Sequence, residues 1–168
     1  GSTPRWKNWA LNITGQKVSN EMAILTISKL LKEAGLDTSK KIKLVRHKDS
    51  RDSIFVNGVE IAGSPYDWYI NDRDTFIAYQ SEQGKDVFKD VDYIVSFIGE
   101  EGTTARMVGV YQVLGLDEDK MSKADNGKTY YIMEEVLETF EELNERVIID
   151  WGQSARSWHQ WLHLHDKD

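Results

Sequence analysis

Two consecutive segments of alternating β-forming residues, 92–99 and 105–114, constrain the fold of this chain more than any other feature. The turn sequence Glu100-Glu101-Gly102 separates them, which predicts an antiparallel pair. In the second segment every other residue from Met107 would lie on one face of a strand, and every other residue from Val108 on the other face. The residues of both faces are mainly apolar. A strand that is apolar on both faces is typical of the centre of a covered sheet. The sequence therefore predicts a sheet with segment 105–114 in its interior.

Short local signals predict helices and turns around this pair. Residues 23–34 carry apolar side chains at helical spacing, and Gly35 follows where a helix end favours glycine. Asn57-Gly58, between two β-forming segments, is a strong hairpin signal. Ser64-Pro65 and Asp72 predict the starts of two further helices. Strands are also expected at 42–47, 128–133, 146–150 and 157–165, and a helix at 135–144.

The order of these elements predicts an α+β fold. Short strands with irregular helices between them, and no regular strand–helix–strand rhythm, favour a small, mostly antiparallel β-barrel with flanking helices. A length of 168 residues suits one domain. We expect this domain at residues 22–165, a tag or flexible N-terminal arm at residues 1–21, and a frayed tail at residues 166–168.

Composition excludes several classes of function. The chain has no cysteine, which excludes disulfides, Cys-ligated zinc and a Cys nucleophile. No apolar run is long enough to cross a bilayer and no signal-peptide pattern is present, so we expect a cytoplasmic protein with no membrane partner. No set of acid, base and nucleophile is evident, and we expect no catalytic residue, no metal and no cofactor in this chain.

The charge is distributed unevenly along the chain. The net charge is -7, which argues against sequence-blind nucleic-acid binding. Residues 117–150 hold eleven acids and four bases and account for the whole excess, whereas residues 40–52 hold six bases and two acids. The basic segment predicts local anion binding, and the alternative is a solvated strand edge. In the first interpretation, phosphate contacts come from Arg46, His47, Lys48 and Arg51.

The segment 150–161 is the richest in side chains that could bind a ligand. It combines three tryptophans with an arginine, two glutamines and two serines. In a strand, Trp158 and Gln160 share one face. An aromatic face beside amide and arginine donors suits a flat heteroaromatic ligand such as a nucleobase. The alternative is a strand whose large aromatic side chains fill the core.

A second pair of segments is similar to the core of a GIY-YIG nuclease, namely Gly109-Val110-Tyr111 and residues 126–132. Such a core needs a tyrosine pair, an arginine on the next helix and a metal-binding glutamate. Here Ile132 is followed by methionine where the motif has glycine, and the glutamate-rich segment that follows has no arginine before Arg146. A metal-dependent nuclease using Tyr111, Tyr130 and a glutamate of residues 134–142 is therefore an alternative function.

Six motifs in the same order resemble the N-terminal region of bacterial proteins that carry a separate GIY-YIG nuclease module. They lie at 30–49, 64–68, 76–81, 94–97, 108–111 and 147–158, and the resemblance covers residues 28–162. It implies that any nuclease activity belongs to a separate module, either C-terminal or on another chain.

The layout also resembles the PUA, EVE and SRA group of barrels, some of which hold a flipped modified base in an aromatic cage. This resemblance implies a specificity domain that recognises modified DNA within a restriction-type defence system, with nucleic acid as the partner. The resemblance to these barrels implies cage walls at Tyr66, Trp68, Trp151 and Trp158, and polar contacts from Ser154, Arg156 and Gln160.

A third interpretation is a protein-interaction module that docks through the acidic helix 135–144.

Overall fold

The computed structural model describes residues 11–14, 20–49, 54–100, 104–138, 140–150 and 158–162, and for 11–14, 20–23 and 158–160 it describes the backbone alone. The fold is α+β. Its strands are β1 (Leu11–Thr14), β2 (Ile42–His47), β3 (Ile54–Val56), β4 (Val59–Ile61), β5 (Glu82–Gln83), β6 (Tyr93–Gly99), β7 (Thr104–Leu116), β8 (Thr129–Glu135), β9 (Val147–Asp150) and β10 (Trp158–Trp161). Its helices are α1 (Asn20–Glu33), α2 (Pro65–Asn71), α3 (Arg73–Ser81) and α4 (Glu118–Ala124).

A curled mixed sheet forms a half-barrel at the centre of the fold. Its strand order is β1-β9-β7-β6-β2-β10, with β8 paired to β7 and β5 paired to β8, while β3 and β4 form a separate hairpin. Most of the pairings are antiparallel, as predicted, but β2 with β6 and β1 with β9 are parallel. The parallel pairs were not expected. The connection from β2 to β6 holds a hairpin and two helices, which is long enough to return the chain in the same direction.

Both faces of the sheet are covered, and β7 is central as its two apolar faces predict. Met107 packs in the core beneath α1, whereas Val108 packs in the core beneath α2 and α3. The first core includes Ile24, Ile27, Leu31, Leu44, Val95 and Phe97, and the second includes Val45, Trp68, Tyr69, Phe76, Ile94 and Tyr111.

The glycine-based signals are confirmed by backbone geometry. Gly35 has φ +105°, its N–H donates to Lys32, and the Leu36 N–H donates to Leu31, which closes α1 with a Schellman motif. The predicted hairpin is β3–β4, with Asn57 and Gly58 both at positive φ in its turn. That conformation is the one a two-residue hairpin turn requires.

The predicted starts of both helices are confirmed, but only one has a side-chain cap. Pro65 occupies the first turn of α2 after the extended residue Ser64, whose side chain makes no capping hydrogen bond. Asp72 begins α3, and its carboxylate accepts a hydrogen bond from the Thr75 N–H. The start of α3 is therefore specified locally, because this cap satisfies an amide within the first turn.

The predicted acidic helix 135–144 is wrong. Strand β8 continues to Glu135, and the Val136 N–H donates to Val110 O of β7. The structure has turns at residue 138 and at residues 140–146. Phe140 is 1% exposed and joins the core beneath α1. Glutamates three and four positions apart on a helix repel one another, which disfavours a helix in this segment. The segment is held instead by apolar side chains such as Phe140 that pack in the core.

Several boundaries also differ from the predictions. Strand β1 lies inside the segment expected to be a tag or flexible arm, and pairs with β9. Four residues are too few for an alternation signal, so this pairing depends on the partner strand. Helix α4 was not predicted from the sequence, and it begins with Asp117 as its cap. In the part of the chain with assigned structure, no helix is long and apolar enough to span a bilayer.

Candidate functional site

A cleft of about 490 Å³ opens where the parallel strands β2 and β6 end. The register brings Gly99 of β6 beside Ala105, and Thr104 beside Asp150 of β9, so these strand ends meet at one edge of the sheet. The carboxyl ends of parallel strands are a frequent location of ligand sites. Six charged or phenolic side chains line the cleft: Asp49, Tyr66, Glu100, Arg106, Glu145 and Arg146.

Tyr66 and Glu145 form the central contact of this cleft. The Tyr66 hydroxyl donates a 2.7 Å hydrogen bond to Glu145 Oε1. That bond, with a contribution from burial, raises the pKa of Tyr66 to about 12. The phenol therefore stays protonated at neutral pH. Because the hydroxyl already donates its hydrogen bond to Glu145, a ligand can contact the face of the ring or donate to a lone pair on the phenol oxygen.

The backbone of Glu145 adopts a conformation that is costly for a residue with a side chain. Its φ is +65°, in the left-handed region. Its N–H donates to Met107 O at 2.7 Å, and its carbonyl accepts from Arg106 Nη1 at 2.6 Å. Left-handed backbone in a non-glycine residue costs on the order of 1–3 kcal/mol and clusters at functional sites. Two hydrogen bonds to its main chain thus hold Glu145 in this conformation, with its carboxylate in the cleft.

The remaining polar groups give the cleft both donors and acceptors. Asp49 accepts from the Tyr66 N–H at 3.0 Å, which fixes the first turn of α2 against the end of β2. Arg106 Nε lies 3.0 Å from Glu100 Oε2. Three carboxylates and two guanidinium groups therefore surround one phenol ring. Such a set can hydrogen-bond a polar ring along its edge, with carboxylates accepting amino protons and arginine donating to carbonyl oxygens.

Two of the predicted phosphate-binding side chains lie in the interior. Arg46 is 2% exposed and His47 is 5% exposed. His47 Nε2 lies 2.8 Å from Gln80 Oε1, and its ring packs edge-on to Phe76 and Tyr79 beneath α3. Burial lowers the pKa of the Arg46 guanidinium. Of the three members that the structure describes, Lys48 is the exposed one, and it lies beside the cleft residue Asp49.

The predicted cage residues have different locations. Tyr66 lines the cleft, whereas Trp68 is 4% exposed and its indole N–H donates to Ala62 O at 2.9 Å. Trp68 also packs against Tyr79 in the core beneath α3. The structure thus presents one of these two rings to the cleft and places the other in the interior.

The rest of the predicted site is described in part. Trp158 and Gln160 belong to β10 by their backbone, where they pair with Arg46 and Leu44. The register therefore puts Trp158 at the same end of the sheet as the cleft. Four predicted site residues lie outside the described residues: Arg51, Trp151, Ser154 and Arg156.

The two tyrosines of the nuclease alternative are far apart. Tyr111 pairs with Glu135, the last residue of β8, whereas Tyr130 lies five residues earlier, near the start of that strand. At roughly 3.3 Å per residue the two positions are about 16 Å apart along the strand. Both side chains are buried, and the Tyr111 hydroxyl donates to Val108 O at 2.8 Å. Burial strongly raises the pKa of Tyr111. The geometry does not bring these residues into one site.

Five of the six charged or phenolic cleft residues were not predicted as site residues: Asp49, Glu100, Arg106, Glu145 and Arg146. A usable signal existed for Glu100 and Arg106, because the predicted hairpin turn places Glu100 close to the start of the returning strand. Glu145 follows a segment that was expected to be helical, and no local signal marks its positive φ.

Within the described ranges, no group of three or more His, Asp or Glu side chains is arranged to hold a metal ion. Comparison of the chain with protein-family models, with curated proteins and with solved structures found no significant match. The proposals below therefore rest on the sequence and on the geometry of the cleft.

Proposed function

We propose that this chain is a nucleic-acid-binding module that holds one base, extruded from DNA, in the cleft at the ends of β2 and β6. The observation that carries the proposal is the Glu145 carboxylate, which is held by a left-handed backbone and accepts a hydrogen bond from the Tyr66 phenol. Together they offer an aromatic face next to a hydrogen-bond acceptor. A nucleobase presents the matching surfaces, a π-face and an edge of amino and carbonyl groups.

The charge of the protein supports recognition through the base and not through the backbone. A net charge of -7 cannot supply the phosphate neutralisation on which sequence-blind binding depends. Within the cleft, Arg106 and Arg146 offset part of the negative charge of three carboxylates. Extruding a base costs a few kcal/mol, so stacking and edge contacts must supply the affinity. A damaged or modified base lowers that cost, which favours selectivity for modified DNA.

The location of the cleft supports the same proposal. Strand β10, where Trp158 lies, pairs with β2 at the end where the cleft opens. The backbone of Trp158 pairs with Arg46, at the end of the sheet where a second aromatic wall of this cleft would be needed. The proposal includes a PUA-like arrangement of the half-barrel and a place for the chain in a restriction-type defence system.

The test is a binding screen with labelled duplexes that carry one modified or unmodified base, at low and moderate salt. We expect preference for one base with a shallow salt dependence. Glu145→Gln should weaken that binding about tenfold, since a hydrogen bond to a charged group contributes about 1.5–3 kcal/mol. The control is Glu142→Gln, an exposed residue outside the cleft with the same charge change. Absence of binding, a steep salt slope without base preference, or equal effects of the two variants would contradict the proposal.

A further inference from the structure

A second cavity, of about 750 Å³, lies at the opposite end of the β6–β7 pair from the cleft. It is bounded by the turns of residues 84–91, by residues 113–116 at the end of β7, and by α4. Because β6 starts at Tyr93, opposite Gln112, this end of β7 extends past its neighbour. The cavity shares no residue with the cleft.

The inner wall of the cavity is apolar and aromatic. The Phe88 and Tyr131 rings pack at 5.4 Å between centroids, and Val91 is buried beside them. Leu114 and Leu116 at the rim are 49% and 47% exposed. Cavities of this size with apolar walls and a few polar groups are typical of small-molecule sites.

Glycine geometry shows that the space is open. Gly115 lies in the cavity lining with φ +140°, and a Cβ built on it meets no heavy atom within 4 Å. A side chain is excluded there by the backbone conformation and not by crowding. The end of β7 therefore contributes no side chain to this part of the cavity lining.

Two hydroxyl groups on β8 supply polar contacts at this wall. The Tyr131 oxygen accepts from the Phe88 N–H at 3.2 Å, and no described residue accepts the Tyr131 proton. Thr129, two residues earlier on the same face of β8, is 8% exposed, and its hydroxyl has no hydrogen-bond partner among the described residues. Neither hydroxyl oxygen is among the described side-chain atoms that are buried without a hydrogen-bond partner. Both residues line the cavity, so their hydroxyls can donate to a ligand that enters it.

The charges around the cavity balance one another. Three lysines and three aspartates line it, so neither a cation nor an anion finds a complementary field. One of the lysines, Lys128, is 3.1 Å from Glu82 Oε1. An uncharged ligand therefore fits this rim better than an ionic one. The six charged residues are Lys85, Asp86, Lys89, Asp90, Asp125 and Lys128.

We propose that this cavity binds an uncharged, largely apolar small molecule that carries a hydrogen-bond acceptor, such as a carbonyl oxygen. Its apolar body lies against Phe88 and Tyr131, and its acceptor takes a proton from Tyr131 or Thr129. This site is independent of the proposed base-binding cleft.

The test uses prodan, an uncharged naphthalene ketone whose emission shifts to the blue in an apolar site. We expect saturable binding of one prodan per chain. Met121→Glu puts a charge in the α4 wall and should weaken binding about tenfold. The matched control is Ser122→Glu, an exposed residue of α4 outside the lining with the same charge change, which should alter affinity by less than about twofold. No saturable binding, or equal affinities for the two variants, would overturn the proposal.

A second pair of variants tests the hydroxyl donors. Tyr131→Phe and Thr129→Val each remove one donor while keeping side-chain size, and at least one should weaken prodan binding by about threefold or more. Thermal unfolding of each variant shows whether the fold is retained, and Thr129→Val carries the test if Tyr131→Phe unfolds. Unchanged affinity in the folded variants would overturn the assignment of the acceptor.

Discussion

The Arg46 guanidinium packs directly against Gly99, the last residue of β6. A Cβ built on Gly99 would lie 2.5 Å from Arg46 Cζ, closer than real contacts allow. Gly99 therefore leaves room for a buried guanidinium, next to the cleft that Gly99 also lines.

Replacing Gly99 tests this relationship. Gly99→Ala should lower the free energy of unfolding by about 1–3 kcal/mol, because overpacking displaces the buried Arg46. The measurement is urea denaturation. Gly84→Ala is the control, since its nearest atom, Val87 Cγ2, would be at 3.8 Å. If both variants had the same stability, Arg46 would have room to move and the close approach would not be needed.

The strain at Glu145 can be measured by comparing two substitutions. Glu145→Gly and Glu145→Ala both remove the carboxylate that accepts from Tyr66. Alanine keeps the cost of the left-handed backbone, whereas glycine relieves it. We expect the glycine variant to be more stable by about 1–2 kcal/mol in urea denaturation. Equal stabilities would mean that the backbone relaxes away from φ +65° once the side chain is lost.

Tyr66 should titrate later than an ordinary phenol. Its pKa is raised to about 12 by the hydrogen bond to Glu145 and by burial. A raised pKa in the folded state means that the folded protein holds more protons than the unfolded chain above pH of about 10. The stability from this group is therefore complete below that pH and is lost as the pH rises toward about 12.

An ultraviolet titration of phenolate absorbance checks this expectation. Tyr66→Phe should remove one late-titrating phenol, and Glu145→Gln should move the Tyr66 transition to lower pH because the charged acceptor is lost. Titration of Tyr66 at the ordinary tyrosine pKa in the folded wild-type protein would show that the hydrogen bond does not persist in solution.

Gln80 should be a major contributor to stability. Its Oε1 accepts from the Ser96 hydroxyl and lies 2.8 Å from His47 Nε2, and all three residues are buried. Gln80→Leu should cost at least about 1–3 kcal/mol, the penalty of a buried polar group that loses its partner.

A double variant separates this effect from simple packing. Adding Ser96→Ala to Gln80→Leu removes the hydroxyl that loses its acceptor in the single variant. The double variant should therefore lose less free energy of unfolding than the two single variants lose in sum. Denaturant unfolding provides all of these values. Strict additivity would indicate that Ser96 and Gln80 do not share a network.

Much of the fold could be predicted because its signals are local. The turn at Asn57-Gly58, the end of α1 at Gly35 and the start of α3 at Asp72 each depend on neighbouring residues. The direction of strand pairing is different, because β-propensity and alternation are the same for parallel and antiparallel strands. The parallel pair β2–β6 therefore could not be read from either strand.

The site was predicted less completely for the same reason. Residue type indicated Tyr66, which lines the cleft, but it also indicated Trp68 and His47, which the folded chain buries beneath α3. A sequence lists which side chains could bind a ring or an anion, and burial decides which of them a ligand can reach.

Taken alone, the sequence determined the α+β class, the central position of β7 and the helix and hairpin ends, since periodicity and capping act over a few residues. Only the tertiary structure decided that Tyr66 meets Glu145 across 79 residues of chain and that Arg46 lies under Gly99. Such contacts depend on how the strand ends assemble at one edge of the sheet, and their energies are not encoded in any single segment.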